Sequence, residues 1–153
     1  MKKLAKRVSI LWSEDRGASL LTFAAFAAFV LVPILGLAIE MGRVAMVRGK
    51  LQDAADAAAL AAAREVDVSA WREDGEIVFL PSAYAEANAY VYQNVSDLAS
   101  RGIRIQNVGI SLDGRNGLVT VTCRARVSGM LPALFPAITI VERGTAQVTW
   151  LSK

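Results

Sequence analysis

Residues 18 to 66 read ASLLTFAAFAAFVLVPILGLAIEMGRVAMVRGKLQDAADAAALAAAREV, and two physical patterns meet inside that one stretch. The first 22 residues, Ala18 to Ile39, carry no formal charge. At 1.5 Å of rise per residue they suffice to cross a hydrocarbon core of roughly 30 Å, so one transmembrane helix is expected over 18–39. Pro33 and Gly36 offer a place for a kink, better tolerated in a bilayer than in water. A cleavable signal peptide is the competing reading, with Gly36-Leu37-Ala38 as its cleavage site, although such apolar regions are usually shorter.

The second pattern is alanine. Residues 41 to 66 contain no proline and are rich in the residue with the best intrinsic helix propensity, so the helix should continue as an Ala-rich extension over 40–66. Val44, Val47, Leu51, Ala54, Ala58 and Ala61 recur at alternating steps of three and four, which places them on one helix-packing seam. Arg43, Lys50, Asp53, Asp56 and Arg64 lie off it. Such a helix from Ala18 to Val66 would be about 73 Å long. The alanine half of the seam admits a close neighbour, and two remain open: a helix of another subunit, or the chain's own C-terminal domain. Gly42 and Gly49 each cost about 1 kcal/mol relative to Ala, which points to close packing or a bend.

The whole chain has 153 residues, 54% of them hydrophobic, with a mean hydropathy of +0.39, more apolar than a small soluble domain. Its net charge of +3 sits entirely in residues 1 to 17, where Lys2, Lys3, Lys6, Arg7 and Arg16 outweigh Glu14 and Asp15. Residues 18 to 153 are neutral overall, which argues against a nucleic-acid partner. Five cations precede the apolar run against Arg43, Arg48 and Lys50 just after it, so residues 1–17 are expected to be a cytoplasmic basic tail. Leu4, Val8, Ile10, Leu11 and Trp12 would either line the inner headgroup layer or form an ordinary tail.

Residues 67–153 read as an exported α+β domain. The stretch 67–80 is expected to be a loop with at most one short strand. Ser82 is the N-cap of a helix whose Tyr84, Ala87, Val91, Val95 and Leu98 face inward, ended by Arg101-Gly102. Tyr84, Tyr90 and Tyr92 are packing and rim residues. Ile103 and Ile105 are out of register with Val108, Ile110 and Leu112, so a bulge is expected near Gln106 and Asn107. Asp113 to Gly117 is a hairpin loop, and Val119, Val121, Cys123, Ala125 and Val127 alternate inward on the next strand. Gly129 to Pro136 is an apolar turn or short helix, and Ile138 to Trp150 a third strand interrupted near Gly144. Three or four antiparallel strands covered by two helices result.

No chemistry is offered by this inventory. The chain has no histidine and one cysteine, which removes imidazole catalysis, the common transition-metal sites and any internal disulfide. Glu73, Asp74 and Glu76 do not have the spacing of a calcium-binding EF-hand loop, and no phosphate-binding GxxxxGK[ST] loop exists. No catalytic, cofactor-binding or metal-ligating residues are assigned. Arg124 and Arg126 share a strand face and could meet an acidic partner, though arginines there also protect a sheet against aggregation.

Arg16-Gly17-Ala18, the apolar run with Pro33, the exit Ile39 to Arg43 and the block LQDAADAAALAAA at 51–63 together resemble the N-terminal region of TadE/TadG-type proteins, minor-pilin-like components of tight-adherence (Flp, type IV) pilus systems. Val119 to Thr122, Met130 to Pro136 and Thr145 to Thr149 resemble the closing strands and apolar turn of that family. The resemblance implies a pilin-like domain and a processing site at Gly17 and Ala18. Pilins cut there carry Glu at the fifth position, where this chain has Thr22, so it resembles the uncut, anchored TadG side more closely. It implies a non-enzymatic, single-pass structural component of pilus assembly, anchoring or initiation in the bacterial inner membrane, its C-terminal domain periplasmic. The implied partners are pilin or other pilus-assembly subunits, inner-membrane platform proteins and the lipid bilayer, in a hetero-oligomer without cofactors. Two alternatives stand beside it: a membrane-tethered binding module using residues 67–80, and a processed minor pilin incorporated into the fibre.

Overall fold

The computed structural model describes residues 15–129 and 136–149. The chain divides into two compact units, Met1–Gly42 and Arg43–Lys153.

The first unit contains helix α1, Asp15–Phe26, a π-helical turn, Ala27–Leu31, and the beginning of helix α2, Val32–Arg64. Pro33 cannot donate to the carbonyl four residues back, and its ring presses on that carbonyl. Just before it, Val32 donates its N–H to the Ala27 oxygen, five residues back. The kink expected at Pro33 is thus accommodated as one widened turn, and the helix goes on. Leu20, Leu21, Phe23, Phe29, Ile34, Leu35 and Ile39 are all exposed, Phe29 by 82%. Ser19–Arg64 is one helix long and apolar enough to cross a membrane, and nothing in its most apolar 18-residue window is buried.

The second unit is a two-layer α+β fold. Its strands, β1 (Arg104–Asp113), β2 (Leu118–Val127) and β3 (Ile138–Gln147), form an antiparallel sheet in the order β1-β2-β3. The register shifts between Ile105 and Asn107, the bulge that the out-of-step isoleucines and valines require. Val119, Val121, Cys123, Ala125 and Val127 of the central strand are all buried on one face. That face is covered by α2 through Val47, Leu51, Ala54, Ala55, Ala58, Ala59 and Ala62, all inaccessible to solvent. Helix α4, Ser82–Asn94, adds Ala83, Ala87 and Val91, and the short helix α5, Ser96–Ser100, adds Leu98. Among the described residues no helix covers the opposite face.

Four local expectations are corrected. Residues 67–80 begin with a helix, α3, Val68–Asp74, rather than a loop. The Asp67 carboxylate accepts from the Ser69 and Ala70 amides at 2.9 and 3.2 Å, and Gly75 closes the helix at φ 72°. Only the bridge between Val66 and Phe79 is strand-like in this region. Ser82 is inside its helix rather than capping it, and its hydroxyl donates to Glu65 Oε2 at 2.6 Å. That helix turns at Val95 instead of running on, and Tyr84 is 49% exposed because Ala83 takes the inward position. Finally, β3 is not interrupted at Gly144. It runs straight through, and a Cβ added there would lie 2.2 Å from the Ala55 carbonyl carbon of α2. The glycine marks the closest approach of helix to sheet. The expectations for residues 4–12, for most of the 129–136 turn and for Trp150 fall outside the described residues.

Candidate membrane and partner-binding surfaces

The expected packing seam lies on α2, and the structure distributes it unequally. Val47, Leu51, Ala54 and Ala58 are fully buried in the chain's own core, whereas Val44 and Ala61 are half-buried. Past Leu51 the buried set becomes Ala54, Ala55, Ala58, Ala59 and Ala62, two adjacent columns in place of one. A pair of small columns lets the helix backbone settle onto a sheet, a broader surface than another helix offers. Polar contacts pin the same approach. Arg48 Nε donates to Glu142 Oε1 at 2.6 Å, and Gln52 Nε2 donates to the Arg143 carbonyl at 3.1 Å. Lys50 pairs with Asp97 of α5, which holds that carboxyl below its ordinary pKa. What α2 leaves exposed beyond Gly42 is Ala45, Arg48, Gly49, Asp53, Asp56, Leu60 and Arg64. Gly42 and Gly49 meet nothing within 4 Å of an added Cβ, so close packing among the described residues does not account for them.

Gly17 and Ala18 lie in α1, and Thr22 is exposed on it. The 67–80 stretch packs on the β1–β2 hairpin, where Ile77 Cδ1 would sit 2.7 Å from a Cβ on Gly117. Gly75, Glu76, Ile77, Gly114 and Arg115 line a shallow cleft of about 570 Å³ there. Glu73, Asp74 and Glu76 remain exposed, and no three metal-ligating side chains come together among the described residues. Asp113 accepts from Asn116 Nδ2 at 2.6 Å, and from the Arg115 and Asn116 amides, so its carboxylate stabilises the hairpin and is held below its ordinary pKa. Cys123 is a core residue, its thiol pushed up to about 11 by burial.

The uncovered sheet face carries a feature that the sequence only half discloses. Arg124 and Arg126 are joined by Arg104, directly opposite Arg126, and by Arg143, diagonal to Arg124 across the β2–β3 pairing. All four are exposed, and none makes an ion pair with another described residue. Their grouping depends on strand register, for which no single segment carries a signal.

Residues 17–65 match the family model of Flp pilus-assembly TadE/G-like proteins. The match runs from within α1 to just past the end of α2 and does not reach α3, α4, α5 or the sheet. Comparison with curated proteins and with solved structures returned no match.

Proposed function

We propose that this chain is a non-enzymatic, single-pass membrane component of Flp pilus assembly, anchored by residues 18–39 with residues 40–153 on the far side of the inner membrane. One observation supports this reading above the others. The stretch similar to the TadE/G-like family, residues 17–65, coincides with a helix whose first part turns apolar side chains outward and whose second part closes a sheet core. Lipid suits the first part, since a helix bonds its backbone polar groups within itself, as a segment in hydrocarbon requires. Folding of the α+β unit onto the second part leaves partner subunits the exposed residues of α2 and the ends of its seam, Val44 and Ala61. Pilin and inner-membrane platform helices are the partners this arrangement suits.

Deletion of the gene in its host tests the proposal. Assembled pilin in sheared surface fractions should fall to background and return on expression of the intact chain. Undiminished pili in the deletion strain would overturn the assembly role.

A further inference from the structure

One end of the α+β unit concentrates positive charge on both sides of the sheet. On the helix side, Arg43 Nη1 donates to the Ser128 carbonyl at 2.7 Å and Nη2 to the Arg101 carbonyl at 3.4 Å. Arg43, Met46, Arg101, Gly102, Ser128 and Gly129 line a cleft of about 610 Å³. On the open side, Arg126 stands two residues before Ser128, with Arg104 opposite it and Arg124 one pleat further in. Like charges directly opposite in a sheet repel one another, so nothing in the fold itself favours the Arg104–Arg126 pair. The nearby carboxylates do not balance the group. Asp97 already pairs with Lys50 and lies 3.7 Å from Arg101, which leaves Arg104, Arg124 and Arg126 without an ion pair to a carboxylate among the described residues. Exposed apolar side chains accompany the arginines: Ile138, 41% exposed, pairs with Val127, and Val141, 45% exposed, pairs with Arg124.

The position of this end in the chain selects the ligand. Arg43 follows the uncharged stretch by four residues in the chain. A charge one turn beyond a membrane span is at headgroup depth, where guanidinium groups meet phosphates. We propose that Arg43, Arg101, Arg104 and Arg126, backed by Arg124, form a binding surface for the phosphate headgroups of anionic phospholipids, docking the α+β unit on the membrane that holds its anchor. The inference rests on the reading of residues 18–39 as a membrane span.

The test uses the full chain in lipid nanodiscs, with a fluorophore on Ser100→Cys beside Arg101; buried Cys123 does not compete for the label. Quenching by trace headgroup-nitroxide lipid is compared in phosphatidylcholine discs, in discs containing phosphatidylglycerol, and in phosphatidylcholine discs with added inorganic phosphate. Quenching should be strong only with phosphatidylglycerol and should weaken with salt. Each arginine near an anionic surface is worth about a fivefold preference, so Arg104→Gln with Arg126→Gln should lower the docked-to-undocked ratio about 25-fold. An Arg115→Gln variant, at the far hairpin, should leave it unchanged. Equal quenching in the two lipids, quenching restored by phosphate alone, or indifference to the double variant would overturn the proposal. A chain that fails to enter the discs would overturn the span reading and this inference with it, a result distinct from insertion without docking.

Discussion

Two glycines of the same chain make opposite predictions because their surroundings differ. At Gly144 an added Cβ would fall 2.2 Å from Ala55 backbone in α2, and backbone on both sides cannot yield as a side-chain tip does. Gly144→Ala should therefore destabilise the fold by about 1 to 3 kcal/mol, the range for overpacking. Gly49 is exposed on the same helix with nothing within 4 Å, so Gly49→Ala should stabilise it by about 1 kcal/mol. Thermal unfolding of the detergent-solubilised variants, followed by circular dichroism, would show the two midpoints moving in opposite directions. Cys123 makes a third residue-scale prediction. Burial raises its thiol from the ordinary 9.0 to about 11. Between those two values the unfolded thiol ionises while the folded one does not, so its contribution to stability is complete below pH 9 and is lost as pH rises toward 11. A thiol reagent at pH 8 should label Cys123 only on addition of denaturant; rapid labelling of the folded chain would contradict its placement in the core.

Helix α2 shows which part of an element its sequence can declare and which part it cannot. Steps of three and four identify a buried stripe, and Val47, Leu51, Ala54 and Ala58 are indeed buried. The same steps say nothing of whether a sheet or another helix lies opposite, because alanine accommodates both; Gly144, 86 residues beyond Ala58 in the chain, carries that information. Its reading as a strand break failed for the same reason, since a glycine weakens a strand and also admits a neighbour. Helix α3 was legible in principle: Asp67 and Gly75 bracket seven residues as cap and terminator, yet the acidic run between them has no apolar period. In α4 the one-residue choice between Ala83 and Tyr84 could not be made without knowing how near the sheet lies. The sheet alternation and bulge, by contrast, were written in β2 and β1 themselves. At this scale the test is a pair of enlargements. Ala58→Leu adds three carbons where no solvent-accessible space exists and should cost about 1 to 3 kcal/mol. Ala57→Leu, at a half-buried neighbour, should cost less, and equal midpoints for the two would refute the packing of α2 against the sheet.

For the molecule as a whole, the processing of residues 1–17 separates an anchored assembly component from a subunit that leaves with the fibre. Gly17 directly precedes the uncharged run, as in a prepilin peptidase substrate, but Thr22 supplies no carboxylate at the position where such substrates carry one. Inside a bilayer that carboxylate would need a partner charge, and a neighbouring subunit's new N-terminal amine would provide it; Thr22 has no ionised group with which to make such a pair. An uncut chain retains a +3 segment at the membrane face. Drawing each of its charges to the bilayer centre costs about 2.5 to 3.5 kcal/mol on insertion scales, so extraction into a growing pilus is strongly opposed. We therefore predict that the mature protein still contains Lys2 to Arg16 and fractionates with the inner membrane, absent from sheared pili. Mass spectrometry of the N-terminal peptide reads this directly, and alkaline phosphatase fused behind Lys153 reports the side on which the α+β unit lies. An intact basic segment together with an active fusion sustains the anchor. A terminus at Ala18 would replace it with a minor pilin, and substitution of Thr22 by Glu would then be expected to increase incorporation into the fibre.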